Sequence, residues 1–418
     1  MAPNKPKQSS DLDKNNSGES FTKILLLNLV VITGLTSPLL LPLALTTAGI
    51  KSTQKPSSQK SPNPLTAPLR ALSTNAARTI YFEAPLRNII QYDPQCFKAS
   101  NELIYEPKPE SQCSQSNLEY EVTTSFGKDG DRTNDALKTN NKPINSILVG
   151  DSHAMGWGVS DEETINAELT RKGFPTLNLA VSSYGTPREL HRLAQWAKEN
   201  PAEYSEVKNI VIQYCDNDYD ENKEFPSGYT PPPNASELAP NYNSPTPNPY
   251  HLDNGQSITQ LIQNNPQIVP VIIRKSWTAS FNRIKKMLRD GFLSTPAAKP
   301  LISAGLINIK VGSHSKLFWQ SLSNYSKILT GKNLIVFTSN GHGHNNQETT
   351  LDLQQDLKKF QQDHPAISIQ LLPLVSLEEN KNEAYFAIDD HLTPLGHKLI
   401  ADEIISSLQN KAHQQSHR

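Results

Sequence analysis

Four short blocks carry the residue types that acyl-transfer chemistry needs: Gly150-Asp-Ser152, Asn178-Leu-Ala-Val-Ser-Ser183, Asp216-Asn-Asp218 and Asp389-Asp-His391. A serine hydroxyl is a poor nucleophile until a base takes its proton, and the base, a histidine, needs a carboxylate to orient it. Ser152 is the candidate nucleophile, His391 the base, and Asp389, Asp390 or both the orienting acid. A tetrahedral intermediate also needs donors aimed at its negative oxygen. The backbone N–H of Ser152, those of the Ser183–Gly185 turn and the side-chain amide of Asn217 are of that kind, whereas Asp216 or Asp218 would repel an oxyanion. Each block alone is an ordinary polar turn. Their joint occurrence is what argues for a site.

The elements around the blocks would bring them together. Ile147–Val149 is an apolar β-branched run that reads as a buried parallel strand delivering Ser152 to a sheet edge. Ser160-Asp-Glu-Glu163 is a capping box opening a helix with Ile165 and Leu169 on its apolar face and Gly173 as its stop. Thr176–Val181 reads as a second strand. Thr186-Pro-Arg-Glu189 then opens a helix whose Leu190, Leu193, Ala194 and Ala197 form a buried stripe, and Asn209–Tyr214 is strand three. The rhythm resumes with a helix over 317–329, strands at Leu334–Thr338 and Ile367–Leu372, and a helix over 351–361 between them. The last helix has Thr393 as N-cap and Pro394 at N1, and buries Leu399, Ile400, Ile404 and Leu408. Such alternation predicts an α/β fold, a three-layer αβα sandwich on a central five-stranded parallel sheet. In such sheets the functional crevice lies beyond the carboxyl ends of the strands, where all four blocks fall.

In this order and register the blocks resemble the SGNH, or GDSL-like, hydrolase superfamily, over roughly residues 145–408. Gly156-Trp-Gly158-Val159, Asp161-Glu-Glu-Thr164 and Asn217-Asp-Tyr219 look most like bacterial membrane-anchored members. The resemblance implies a flavodoxin-like sheet and an esterase or O-acyltransferase working through an acyl-enzyme without a cofactor. Its substrate would be an ester, an acylated glycan or lipid. Ser152, His391 and Asp389 would be catalytic, with Ser152, Ser183, Gly185 and Asn217 lining the oxyanion hole. Two departures stand out. Ser183 occupies the place of the family's usual oxyanion glycine, with Gly185 two residues on, and Ile388 holds the position of the acid in the frequent Asp-x-x-His spacing. The shorter Asp-x-His spacing makes Asp389 the acid and Asp390 the reserve. A non-catalytic module that binds glycan or organises an envelope complex is the rival reading. His153 stands where many relatives have leucine, as a loop residue or substrate contact.

Other chemistries find little support. A net charge of −1 over 418 residues offers no basic groove for nucleic acid. The chain has no Gly-x-Ser-x-Gly elbow, phosphate loop or His-Glu-x-x-His, and His342 with His344 lacks a third ligand at a telling spacing, so no metal is expected. An apolar fraction of 36% with 31 prolines implies that part of the chain is linker or loop rather than core. Residues 24–50 carry no charge, enough to cross a bilayer of ~30 Å as a single-pass anchor, with a signal peptide cut near Ala48 the alternative. The expected organisation is a polar tail at 1–23, the anchor, a Ser/Pro-rich linker at 51–77, a small β-rich extension at 78–142, and the hydrolase-like domain at 143–410 with an insertion at 226–310. The folded part is expected outside the cytoplasm, and Cys96 and Cys113 are close enough to close a loop in an oxidising compartment.

Overall fold

In a computed structural model the described residues are 89–117, 119–139, 142–242, 270, 314–341 and 346–416. Two antiparallel hairpins come first: β1 (Phe97–Ser100) with β2 (Ile104–Pro107), and β3 (Gln112–Ser116) with β4 (Glu121–Ser125). A Cys96–Cys113 disulfide ties one hairpin to the other. Closing a loop of that length removes unfolded-state entropy worth ~3 kcal/mol. Ahead of the hairpins lies a 3-10 turn over Ile90–Tyr92. Strands β1 and β3 escape a sequence reading because their polar residues alternate weakly with few apolar ones.

The five remaining strands, β5 (Ser146–Val149), β6 (Thr176–Asn178), β7 (Asn209–Tyr214), β8 (Asn333–Thr338) and β9 (Ser368–Leu372), form one parallel sheet in the order β6-β5-β7-β8-β9. Numbered within the sheet this is 2-1-3-4-5, so the order reverses between β5 and β7 and opens a crevice at their carboxyl ends. Strands β5 and β7 are buried at every residue, which requires cover on both faces.

That cover comes from α1 (Ser152–Met155), α2 (Ile165–Arg171), α3 (Thr186–Glu199), α4 (Asp218–Glu224), α5 (His314–Asn324), α6 (Asn346–Asp363) and α7 (Pro394–Ser416). Leu148, Val211 and Ile335 pack with Ile165, Leu169, Ile400 and Ile404 of α2 and α7. Their strand neighbours Ile147, Ile210 and Leu334 face the other way, onto Leu190, Leu193, Phe318 and Leu353 of α3, α5 and α6. The period of two along each strand thus divides the core into two apolar layers.

Several boundaries differ from the sequence expectation. The Ser160 capping box forms, with the Glu163 carboxylate accepting from the Ser160 N–H at 3.1 Å, but it closes a 3-10 turn. Asp161 is drawn to Arg132 at 2.9 Å, and the α-helix begins at Ile165 under a Thr164 cap. Gly173 then stops it with φ +90°. Strand β6 ends at Asn178 rather than Val181, although the Leu179 and Val181 N–H groups still bond to Leu148 and Gly150. The helix expected over 317–329 runs from His314 to Asn324, is interrupted at Tyr325 and resumes as one turn over Ser326–Leu329; the Asn324 amide bonds to Pro226 O. Thr393 caps α7 as expected, its hydroxyl accepting from the Gly396 N–H.

Among the described residues no helix is long and apolar enough to cross a membrane. The tail, the anchor at 24–50, the linker, residues 78–88, most of the insertion, and His342 with His344 lie outside the described residues.

Candidate active site

The turn after β5 presents the serine because a side chain does not fit at Gly150: a Cβ there would lie 2.5 Å from Gln213 Oε1. That oxygen accepts from the Asp151 N–H at 2.9 Å, pinning the turn to β7. Asp151 caps the one-turn helix α1, whose first residue is Ser152. Asp389 and His391 lie on the loop leading into α7.

The loops converge as their placement at one sheet edge requires. His391 Nε2 lies 2.8 Å from Ser152 Oγ, and His391 Nδ1 lies 2.5 Å from Asp389 Oδ1. Asp389 is fully buried and Ser152 and His391 nearly so. A neutral imidazole in this arrangement donates from Nδ1 to the carboxylate and accepts from the serine hydroxyl. Asp390 lies to one side, with its Cβ and carboxyl packed against Gly341, and lines the cavity.

The second carboxylate oxygen of Asp389 is equally well held. It accepts from Asn117 Nδ2 at 3.2 Å, Tyr120 Oη at 3.0 Å and Trp157 Nε1 at 3.2 Å. Trp157 also stacks on the His391 ring, with planes 15° apart and centroids 4.9 Å apart. His153 comes equally close to that ring and contacts Ser339 Oγ through Nδ1. The ring is therefore positioned at its edge and on its face.

Below the acid, Glu119 Oε2 accepts from the Ile388 and Asp389 N–H groups at 2.9 and 2.7 Å. Burial pushes its carboxyl up to about 7, against those N–H groups and with help from the Asp389 charge. Its folded pKa therefore exceeds the unfolded value of ~4.3. Between the two, the unfolded chain has released a proton that the folded chain keeps, so this contribution to stability is full below ~4.3 and is lost as pH rises through 7. Glu119→Gln should thus gain stability relative to the parent between pH 4.5 and 7.5, on the order of 2 kcal/mol. Urea titrations of both proteins at the two pH values check this, and a pH-independent difference would refute it.

Of the expected oxyanion donors, Ser152, Ser183 and Asn217 line one cavity of about 390 Å³ with His391. The Asn217 amide donates to Asp151 Oδ2 at 3.2 Å, while Asp151 Oδ1 accepts from the His153 N–H. Burial raises the Asp151 carboxyl, offset in part by the His153 N–H and by His391. Ser183 adopts φ +62°, the left-handed conformation in which glycine is at ease, and its Oγ accepts from Gln91 Nε2 at 3.1 Å. Gly185, the last residue of the Ser183–Gly185 turn, is the N-cap of α3: its carbonyl accepts from the Arg188 and Glu189 N–H groups, and the Glu221 side chain fills the space beside its Cα.

Cys215 also borders the cavity, but burial and the neighbouring carboxylates of Asp151 and Asp218 push its thiol well up. It stays protonated and is no competing nucleophile at neutral pH. Among the described residues no group of three His, Cys, Asp or Glu side chains is arranged to hold a metal.

A sequence reading misses Asn117, Glu119, Tyr120 and Gln213 as parts of the site. Tyr120 is 269 positions from Asp389, and nothing local marks a hairpin turn as the partner of a distant acid. Trp157 carries a signal in its place between two glycines beside the nucleophile, though not its role against His391. No family model and no curated protein matches the chain.

Proposed function

We propose that the chain is a serine esterase or O-acyltransferase of SGNH type, with a flavodoxin-like catalytic domain. The observation that carries this is His391 bridging Ser152 and Asp389 at hydrogen-bond distance on both ring nitrogens. Ser152 Oγ attacks the ester carbonyl while His391 Nε2 takes its proton, and Asp389 stabilises the imidazolium. The tetrahedral oxygen lies toward the Ser152 and Ser183 N–H groups and the Asn217 amide. The imidazolium then protonates the leaving alkoxide, leaving an acyl-enzyme. Water or a sugar hydroxyl, deprotonated by His391, releases the acyl group and regenerates the serine. No cofactor is required.

The uncharged run at 24–50 would anchor the chain in a lipid bilayer, with the catalytic domain outside the cytoplasm. The Cys96–Cys113 disulfide supports an oxidising compartment. A non-catalytic glycan-binding module remains as a second reading, favoured by a serine in a left-handed conformation where the family's glycine belongs.

Intact-mass measurement after a fluorophosphonate probe separates the two, because only an activated serine reacts. One adduct on the parent and none on Ser152→Ala is the expected result. An unlabelled parent overturns the catalytic reading.

A further inference from the structure

The rim of the site carries a feature the chemistry of the triad does not use. Tyr92 is 55% exposed, lines the cavity that holds Ser152, and belongs to the turn Ile90–Tyr92. That turn is fixed from behind. Ile90 is fully buried, Gln91 Nε2 bonds to Ser183 Oγ, and Gln91 O accepts from Tyr242 Oη at 2.6 Å. A large aromatic side chain is thus held exposed at the mouth of a cleft, where covering it with a ligand would be an apolar gain.

The rest of the lining narrows what that ligand is. Among the described lining residues Ile89 is the only aliphatic side chain, and Asp216, Asn217, Asn340 and Asp390 make the wall polar. At about 390 Å³ the cavity sits at the low end of ligand pockets of ~300–1,000 Å³. A long acyl chain would find no hydrocarbon wall among these described residues. A pyranose ring fits both halves: its C–H groups present a weakly positive face to the negative face of an aromatic ring, while its hydroxyls point outward to polar side chains.

We infer that Tyr92 forms a sugar-stacking subsite, so that the alcohol half of the ester is a glycan residue and the acyl half a short chain. The inference rests on the esterase reading of the same site. It makes the N-terminal extension a part of substrate recognition.

The test compares two acetates of one acyl group, methyl 6-O-acetyl-glucoside and ethyl acetate, with ethyl decanoate as a third substrate. For the full-length protein in detergent, kcat/KM for the sugar acetate should exceed that for ethyl acetate. Tyr92→Ala should lower this ratio up to about tenfold, chiefly through KM for the sugar ester, while Tyr92→Phe keeps it because the ring remains. Leu351→Ala, which removes an exposed apolar side chain away from the cavity, controls for nonspecific effects and should leave the ratio alone. An unchanged ratio in Tyr92→Ala overturns the subsite, and so does faster turnover of ethyl decanoate than of either acetate. A parent that forms the fluorophosphonate adduct yet shows no sugar preference overturns the subsite alone. A parent with neither adduct nor ester turnover overturns the esterase reading and the subsite with it.

Discussion

Asp389→Asn should lower kcat/KM on a short ester by 10²–10⁴, whereas Asp390→Asn should change it little. The large effect follows from how the carboxylate is held. Three donors, from Asn117, Tyr120 and Trp157, converge on Asp389 Oδ2. An asparagine at 389 should keep its carbonyl oxygen there, because turning its NH₂ that way would set donor against donor at Asn117 Nδ2. Its NH₂ group then faces His391 Nδ1, which must accept. The imidazole proton moves to Nε2, and the ring meets Ser152 Oγ as a donor where catalysis needs an acceptor. The substitution preserves shape and reverses the tautomer. Asp390 lines the cavity beside Gly341, and its change leaves the 2.5 Å contact between Asp389 and His391 in place. Measuring both variants on one ester decides the matter: a crippled Asp390→Asn reverses the assignment, and two unimpaired variants remove the acid-oriented base altogether.

The loss of Ser152 should be larger still. Ser152→Ala removes the proposed nucleophile, and ester turnover should fall on the order of 10⁶-fold, as when a triad serine is deleted. The fold should tolerate the change. Ser152 opens the one-turn helix α1, and the turn is held by Gln213 to Asp151 and by Asp151 to the His153 N–H, none of which involves the serine hydroxyl. Loss of one hydrogen bond to His391 costs about 1 kcal/mol. Equal turnover by Ser152→Ala and parent would refute the nucleophile, provided circular dichroism and urea midpoints show both folded.

Much of this arrangement is legible in the chain because its signals are local. Apolar runs such as Asn209–Tyr214 and the stripe through Leu190 and Leu193 encode strand and helix by their periods, and strand–helix alternation permits little besides a parallel sheet. The carboxyl-end rule then assigns Ser152, Asn217 and His391 to one edge. Boundaries are less legible, since the capping box at Ser160 reads the same whether it opens a 3-10 turn or an α-helix, and the tertiary partners of Asp161, Arg132 and the Ser125 N–H, lie far off in the sequence.

The amino-acid sequence by itself determined the α/β class, the five strands of the sheet and the residue types of the proposed triad, because hydrophobic period and turn chemistry act between near neighbours. Only the tertiary structure decided which residues hold the triad. Gly185 caps α3 beside Glu221, and Ser183 keeps a glycine-like backbone at the cavity wall. Asn117, Glu119 and Tyr120 reach Asp389 from a hairpin some 270 residues earlier in the chain. The reason is physical: a buried carboxylate must find donors wherever packing supplies them, and packing brings together groups whose separation along the chain carries no pattern to read.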